Sequence, residues 1–312
     1  MSQTPADGSR RPSDYTDDLR LAHVLADSVD ALTMERFRAQ DLVVETKPDT
    51  THVTDADKGA EEAIRAQLGR ARARDSVLGE EFGETGQGAR QWIVDPIDGT
   101  ANFVRGTPVW ATLIGLVDEG VPVVGLVSAP ALGRRWWASL GGGAYTGRSL
   151  TSARRIHVSE VGRVEDASFS YSSLHGWEER GTLDEFLDLT RACWRTRAYG
   201  DFWSYCLVAE GAVDIAAEPE LNLHDMAALA PIVTEAGGRF TDLEGNDGPF
   251  GGNALATNGR LHEDVLKRLW PVDESDREPL SPALPPETGA SEGSGASEGP
   301  GTPGSSAVSS GL

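Results

Sequence analysis

Only two cysteines, Cys193 and Cys206, occur in 312 residues, and nowhere do 18 consecutive apolar residues run together. Two thiols are too few for a disulfide framework or a four-cysteine zinc site, and they fit a reduced interior. The missing apolar run leaves no candidate membrane-spanning helix. Met1 is followed by Ser2-Gln3-Thr4-Pro5-Ala6-Asp7-Gly8, without the apolar core of a secretion signal. A cytoplasmic protein with no membrane partner is therefore expected. Positive charge is also scarce: 28 Lys and Arg face 49 Asp and Glu, a net charge of −21. Such a surface repels nucleic acid, which is not an expected partner.

What is present is a core of ordinary size between polar ends. Hydrophobic residues make up 39% of the chain, enough to bury the interior of two closely joined halves. Residues 1–16 are polar and proline-bearing, and from Val272 the composition collapses into Pro, Glu, Gly, Ser and Ala, as in GASEGSGASEGPGTPGSS. Neither end can bury enough apolar area to offset its ordering entropy, so 1–16 and 272–312 read as disordered. The body then divides into an N-terminal half, 17–150, and a C-terminal half, 151–271.

Within the body, Leu21, Leu25, Val29 and Leu32 recur at helical spacing and predict an amphipathic helix from Asp17 to Arg38. Thr54 stands as the N-cap of a helix through Glu61-Glu62-Ala63-Ile64. Ala111 to Val117 and Val121 to Ser128 read as strands joined by the hairpin turn Asp118-Glu119-Gly120. Arg134 to Ser139 and Ala144 to Tyr145 continue the meander. Thr182-Leu183-Asp184-Glu185 has the capping-box pattern and predicts a helix to about Trp194. Asp225 is expected to begin a helix that Gly237 and Gly238 end.

The chemistry concentrates in Trp92 to Phe103, WIVDPIDGTANF. The β-branched run Trp92-Ile93-Val94 reads as a buried strand delivering Asp95 and Asp98 at its carboxyl end. Two acids three residues apart across a proline can meet one hard cation or be shared between two, with the Ile97 carbonyl between them. Gly99 lets a phosphate approach the backbone, and a helix opening at Thr100 would favour bound anion. Alone, Asp-Pro-x-Asp-Gly reads equally as a turn. Two further acidic segments weigh against that: Gly79-Glu80-Glu81-Phe82-Gly83 after strand-like Ser76-Val77-Leu78, and Leu223-His224-Asp225-Met226-Ala227-Ala228-Leu229 leading to Glu235-Ala236-Gly237-Gly238.

Together and in this order, the three segments resemble the GEE, DPIDGTxNF and (W)DxAA…EAGG motifs of the inositol monophosphatase superfamily, over roughly Leu19 to Trp270. The resemblance implies an α/β fold, a layered αβαβα sandwich of the inositol monophosphatase and sugar phosphatase type. It implies a phosphate monoester substrate, hydrolysis by direct attack of water, a homodimer, and two or three Mg²⁺ ions. Glu80, Asp95 and the carbonyl of Ile97 would hold the first ion, and Asp95, Asp98 and Asp225 the second. Glu80, Asp98 and Thr100 would act in catalysis, with Thr100 and Glu80 orienting or deprotonating the water. Backbone NH groups of Asp98, Gly99 and Thr100 would hold the phosphoryl oxygens. Asp57 and Glu81 would support the ligands from behind, although a helix-start charge and an exposed acid are the plainer readings of these two. The bound cations would reverse the sign of the site in an otherwise acidic protein.

The continuation Asn102-Phe103-Val104-Arg105-Gly106-Thr107-Pro108-Val109-Trp110-Ala111-Thr112 looks like the histidinol-phosphate phosphatases of this superfamily, enzymes of histidine biosynthesis, with Pro108 and Trp110 only filling a core as the alternative. An ammonium and an imidazole on the substrate would call for carboxylates beyond the metal shell. The resemblance points to Glu218, Asp201 and Arg197, with Arg197 orienting one of the two acids, and Asp225 also contacting substrate. A broader inositol-1-phosphate or sugar monophosphatase is the alternative, and a non-catalytic divalent-cation-binding protein the alternative from another class. One departure is visible: most relatives carry Trp before the acid matching Asp225, and here the residue is His224.

Overall fold

The structure, a computed structural model, describes residues 14–46 and 52–270. Most of the polar N-terminal segment and all of the chain from residue 271 onward, both expected to be disordered, lie outside the described residues.

The first helix, α1 (Thr16–Arg36), begins a residue before its expected start, and Tyr15 ahead of it is buried, its hydroxyl donating to Asp118 Oδ2 at 3.1 Å. It ends two residues earlier than expected because Phe37 turns extended and Arg38 adopts φ 65°. A short antiparallel pair follows, β1 (Val44–Thr46) and β2 (His52–Thr54), leading into α2 (Asp55–Ala71). Thr54 caps α2 as expected: its hydroxyl accepts from the NH groups of Ala56 and Asp57, while Asp57 accepts from the Thr54 NH. Such a cap is worth roughly 1 kcal/mol, and it fixes where Asp57 points.

Next come β3 (Ser76–Gly79), β4 (Gly83–Thr85), β5 (Arg90–Asp98), the short helix α3 (Thr100–Arg105), β6 (Ala111–Asp118), β7 (Val121–Ala129), β8 (Arg134–Ser139), β9 (Gly143–Gly147) and β10 (Arg154–Arg155). They form an eight-stranded sheet in the order β10-β9-β8-β7-β6-β5-β3-β4, antiparallel except where β3 meets β5. The β6–β7 hairpin turns where expected, with Glu119 and Gly120 both at positive φ.

The rest of the chain supplies β11 (Ser168–Ser170), α4 (His175–Arg180), α5 (Leu183–Ala192), β12 (Arg195–Arg197), α6 (Asp201–Ala209), β13 (Ile215–Glu218), α7 (Leu223–Met226), α8 (Leu229–Glu235), β14 (Arg239–Thr241), β15 (Ala254–Thr257) and α9 (His262–Leu269). The five strands pair in the order β12-β11-β13-β15-β14.

Side-chain packing turns these elements into layers. Leu25, Val29, Ile64 and Leu68 of α1 and α2 cover Trp92, Val94, Ile114 and Leu116 on one face of the large sheet. Leu113, Val127 and Trp136 on its other face meet Cys206 and Val208 of α6 and Ile232 of α8, which also meet Ala216 and Ala256 of the small sheet. Phe169, Ile215 and Leu255 face the far side, against Trp177, Phe186 and Val265. The result is the αβαβα sandwich that the resemblance implies. Helices cover both faces of the large sheet, which is why β6 is buried along almost its whole length and reads as an unbroken apolar run. Gly125 of β7 permits the close approach of the middle layer: a Cβ there would stand 2.0 Å from the Ala228 carbonyl oxygen.

Two expectations need correction. Thr182 precedes α5, but its side chain makes no capping hydrogen bond and its hydroxyl is buried without a partner. Its backbone, at φ −121° and ψ 27°, lacks the extended form that aims a cap at the next turn. Asp225 does not begin its helix either. Asn222 caps α7, Asp225 is the third helical residue, and the helix breaks at Ala227-Ala228 before α8 resumes. Pro231 in α8 has no NH to donate back to Ala227.

Candidate active site

Because β3 and β5 run parallel, their ends arrive together. Glu80, just past β3, donates its NH to the Val94 carbonyl at 3.2 Å and so lies beside Asp95. Between Asp95 and Asp98 the pairing with β6 slips, which makes Asp-Pro-x-Asp a bulge within the strand. Asp95 Oδ1 accepts the Ile97 NH at 3.0 Å, and the Thr112 hydroxyl donates to the Pro96 carbonyl at 2.8 Å. Gly99 follows at φ 80°, a left-handed conformation that costs a residue with a Cβ, and a Cβ would stand 3.0 Å from the Val109 carbonyl oxygen.

Thr100 opens α3. Its hydroxyl lies 2.9 Å from the Ile97 carbonyl oxygen and 3.3 Å from Asp57 Oδ1, so its proton has two acceptors to choose between. Beneath this loop Ile97, Phe103, Trp110 and Ala56 pack together, with Phe103 and Trp110 edge to face at 4.9 Å. Trp110 therefore fills a core that supports the bulge, rather than facing a ligand.

The middle helix layer brings the last acid. Asp225 Oδ2 accepts the Asn222 NH at 2.7 Å, which fixes the rotamer of its carboxylate. Two donor groups result, each with ligand atoms within 4.8 Å of one another: Asp95, Asp98 and Asp225, and Glu80, Asp95 and His224. Asp95 belongs to both. Burial, then repulsion from Glu80 and Asp98, pushes the Asp95 carboxyl well above the usual range; burial, then Asp201 and Asp225, does the same to Asp98. Asp225 is raised too, chiefly by burial. Asp57, fully buried, is pushed up to about 7 against the pull of its hydrogen bonds from Thr54. Acids pressed together in this way suit a divalent cation, which would favour the ionised form of every one of them.

Beside the donor groups lies a cavity of about 150 Å³ lined by Asp98, Asp201, Phe202, Tyr205, Glu218 and Asp225, among others. Phe202 donates its NH to Asp98 Oδ2 at 2.8 Å, tying α6 to the bulge. Asp201 sits at φ 50°, and Asn102 Nδ2 donates to its Oδ2 at 3.0 Å. Burial, followed by the Asp225 charge, pushes Asp201 up to about 6. Glu218 ends β13 with 6% exposure; Ser172 donates to its Oε2 at 2.9 Å, and the buried Tyr205 hydroxyl lies beside the same carboxylate. Burial, then Asp201, pushes Glu218 up to about 8.

The structure thus brings Glu80, Asp95, Ile97, Asp98, Gly99, Thr100, Asp57 and Asp225 to one place, with Asp201 and Glu218 beside them. It does not bring Arg197 there. Arg197 is exposed on edge strand β12, and its guanidinium donates to the Thr196 carbonyl, reaching neither Asp201 nor Glu218. Glu81 is half-buried, and its NH donates to Glu61 Oε2 at 2.7 Å. Four residues of the site escaped sequence reasoning: Glu61, Asn102, Ser172 and Tyr205. Only Asn102 carried a signal, since it lies within the motif itself.

Comparison with known proteins agrees with this geometry. The sequence pattern of the inositol monophosphatase family matches residues 14–274. A histidinol-phosphatase of Streptomyces coelicolor is 70% identical over 260 residues, 82% of this chain and 98% of that one. A histidinol-phosphatase of Mycobacterium tuberculosis is 59% identical over 254 residues, 81% of this chain and 98% of that one. Among solved structures, the Thermotoga maritima IMPase superposes with a TM-score of 0.73 at 31% identity, covering 81% of this chain and 97% of that one. The extragenic suppressor protein SuhB of Bartonella henselae gives 0.75 at 30%, covering 82% and 99%.

Proposed function

The chain belongs to the inositol monophosphatase family, and from that premise we propose that it hydrolyses L-histidinol phosphate to L-histidinol and phosphate, a step of histidine biosynthesis. The donor set fits the Mg²⁺ ions on which the family depends: Glu80, Asp95 and the Ile97 carbonyl for one, Asp95, Asp98 and Asp225 for another. Bound there, the cations would supply positive charge for the phosphoryl oxygens and acidify water.

The chain's own groups do the rest. Thr100 Oγ1 orients the attacking water and can pass a proton to Asp57 Oδ1, 3.3 Å away. Glu80 lies beside Asp95 to assist. The backbone NH groups at Asp98, Gly99 and Thr100 steady the phosphoryl group during in-line transfer. No helix of the described residues is long and apolar enough to cross a membrane. We place the enzyme in the cytoplasm as a homodimer, on its likeness to the family.

The observation that carries the substrate reading is the pair Asp201 and Glu218 in the adjoining cavity. These acids exceed what two cations need, and both line the cavity, with Glu218 only 6% exposed. A buried acid so placed favours a cationic donor, which the ammonium or imidazolium of histidinol provides and an inositol does not. Glu218→Gln should cost roughly 1.5 to 3 kcal/mol in kcat/KM for histidinol phosphate, the range of a hydrogen bond to a charged group. p-Nitrophenyl phosphate, which lacks those cations, should lose much less. Equal losses on both substrates would assign Glu218 to the metals or the fold instead.

A further inference from the structure

His224 stands where the family resemblance leads one to expect an indole. Its side chain is 17% exposed, and among the described residues its one polar contact is Nε2 at 3.5 Å from Asp225 Oδ1. No aromatic ring among the described residues packs against it. The two other histidines with buried rings have such partners: His262 lies between the hydroxyls of Thr241 and Thr257 at 2.9 and 3.0 Å, and His23 meets Trp137 edge-on at 4.7 Å. Neither stacking nor hydrogen bonding therefore accounts for the His224 ring. Its polar neighbours are the carboxylates of Glu80, Asp95 and the adjacent Asp225. A ring nitrogen lies with one oxygen of Glu80 and one of Asp95 within a 4.8 Å cluster, and Asp225 of α7 adjoins it.

We propose that an imidazole nitrogen of His224 is a protein ligand, with Glu80 and Asp95, of one active-site cation, and that this mixed donor set raises the affinity of that site for Co²⁺ and Zn²⁺ above that of an all-oxygen site, with Mg²⁺ still accepted. Mg²⁺ is hard and binds oxygen, whereas imidazole suits the borderline ions. The neighbouring group of Asp95, Asp98 and Asp225 offers only oxygen, which suits hard ions such as Mg²⁺ and Mn²⁺. Two cation sites of unequal softness would then share Asp95. His224, rather than the number of acids, sets the difference between them.

The inference rests on the two-cation reading above, and pulsed electron paramagnetic resonance of Mn²⁺ bound to the full-length protein tests it separately. The expected result is nitrogen modulation on the bound Mn²⁺, lost in His224→Gln and His224→Trp. Direct titration should show Zn²⁺ affinity falling on the order of 10-fold or more in both variants while Mg²⁺ affinity changes by less than about 3-fold. The wild-type spectrum alone decides the point if a variant fails to fold. Mn²⁺ binding that Asp95→Asn abolishes but that shows no nitrogen modulation would keep the carboxylate site and overturn the histidine ligand. Equal loss of Zn²⁺ and Mg²⁺ affinity in the His224 variants would also overturn the proposed effect of the imidazole, and failure of the wild type to bind any of these ions would overturn the two-cation reading with it.

Discussion

Asp95 is the one carboxylate common to both donor groups, so its loss should be felt by every cation in the site. Asp95→Asn, and Asp225→Asn on the facing helix, should each lower kcat by at least about 10²-fold, the scale of one lost transition-state electrostatic contact. Steady-state rates at saturating Mg²⁺ check this, and near wild-type turnover in either variant would remove these residues from the proposed ligand set. Thr100→Ala makes a different claim, because its hydroxyl acts in the chemical step and not in ground-state binding. Turnover should fall with cation affinity and KM little changed; a rise in KM alone would make Thr100 a binding residue. These residues were legible because the sequence places them in three short, chemically unusual segments. Tyr205 and Ser172 were not, since nothing in a tyrosine or serine on an apolar helix or loop announces which acid it will meet across the fold.

At the scale of elements, strand ends carried the most information. β3, β5 and the β6–β7 hairpin could be read from β-branched runs and turn residues, because local sterics decide them. The break between α7 and α8 and the uncapped start of α5 could not, because packing against the sheets overrides local preference there. His262 offers a test of this tertiary layer. Lying between Thr241 of β14 and Thr257 of β15, it is pushed down to about 4, first by burial and then by the Arg239 charge. A histidine held neutral in the fold takes up its proton more readily when unfolded. Its stability contribution is therefore present above about pH 6.5 and is lost as the pH falls toward 4. At pH 5 the loss is about 2 kcal/mol relative to pH 7. Denaturant unfolding at the two pH values should show this loss in the wild type and a smaller one in His262→Gln. Parallel pH dependence in both proteins would mean that the imidazole is not held neutral.

Over the whole molecule, the αβαβα layering sets α7 of the middle layer against the end of β5, and so assembles a site from residues as far apart in sequence as Asp57 and Asp225. Order in the chain revealed the motifs, but their convergence depends on burial between two sheets, which no local pattern encodes. The family match ends at residue 274, and deleting residues 275–312 should leave kcat/KM and Tm nearly unchanged. A large drop in either would mean that the catalytic unit extends further. The central claim, Mg²⁺-dependent hydrolysis of histidinol phosphate, is tested most directly by phosphate release from histidinol phosphate, inositol 1-phosphate, fructose 1,6-bisphosphate and adenosine 3′,5′-bisphosphate, each with Mg²⁺ and with a chelator. The expected result is the highest kcat/KM for histidinol phosphate and no release from any substrate once divalent cations are removed; a different leading substrate, or release that survives the chelator, would contradict it.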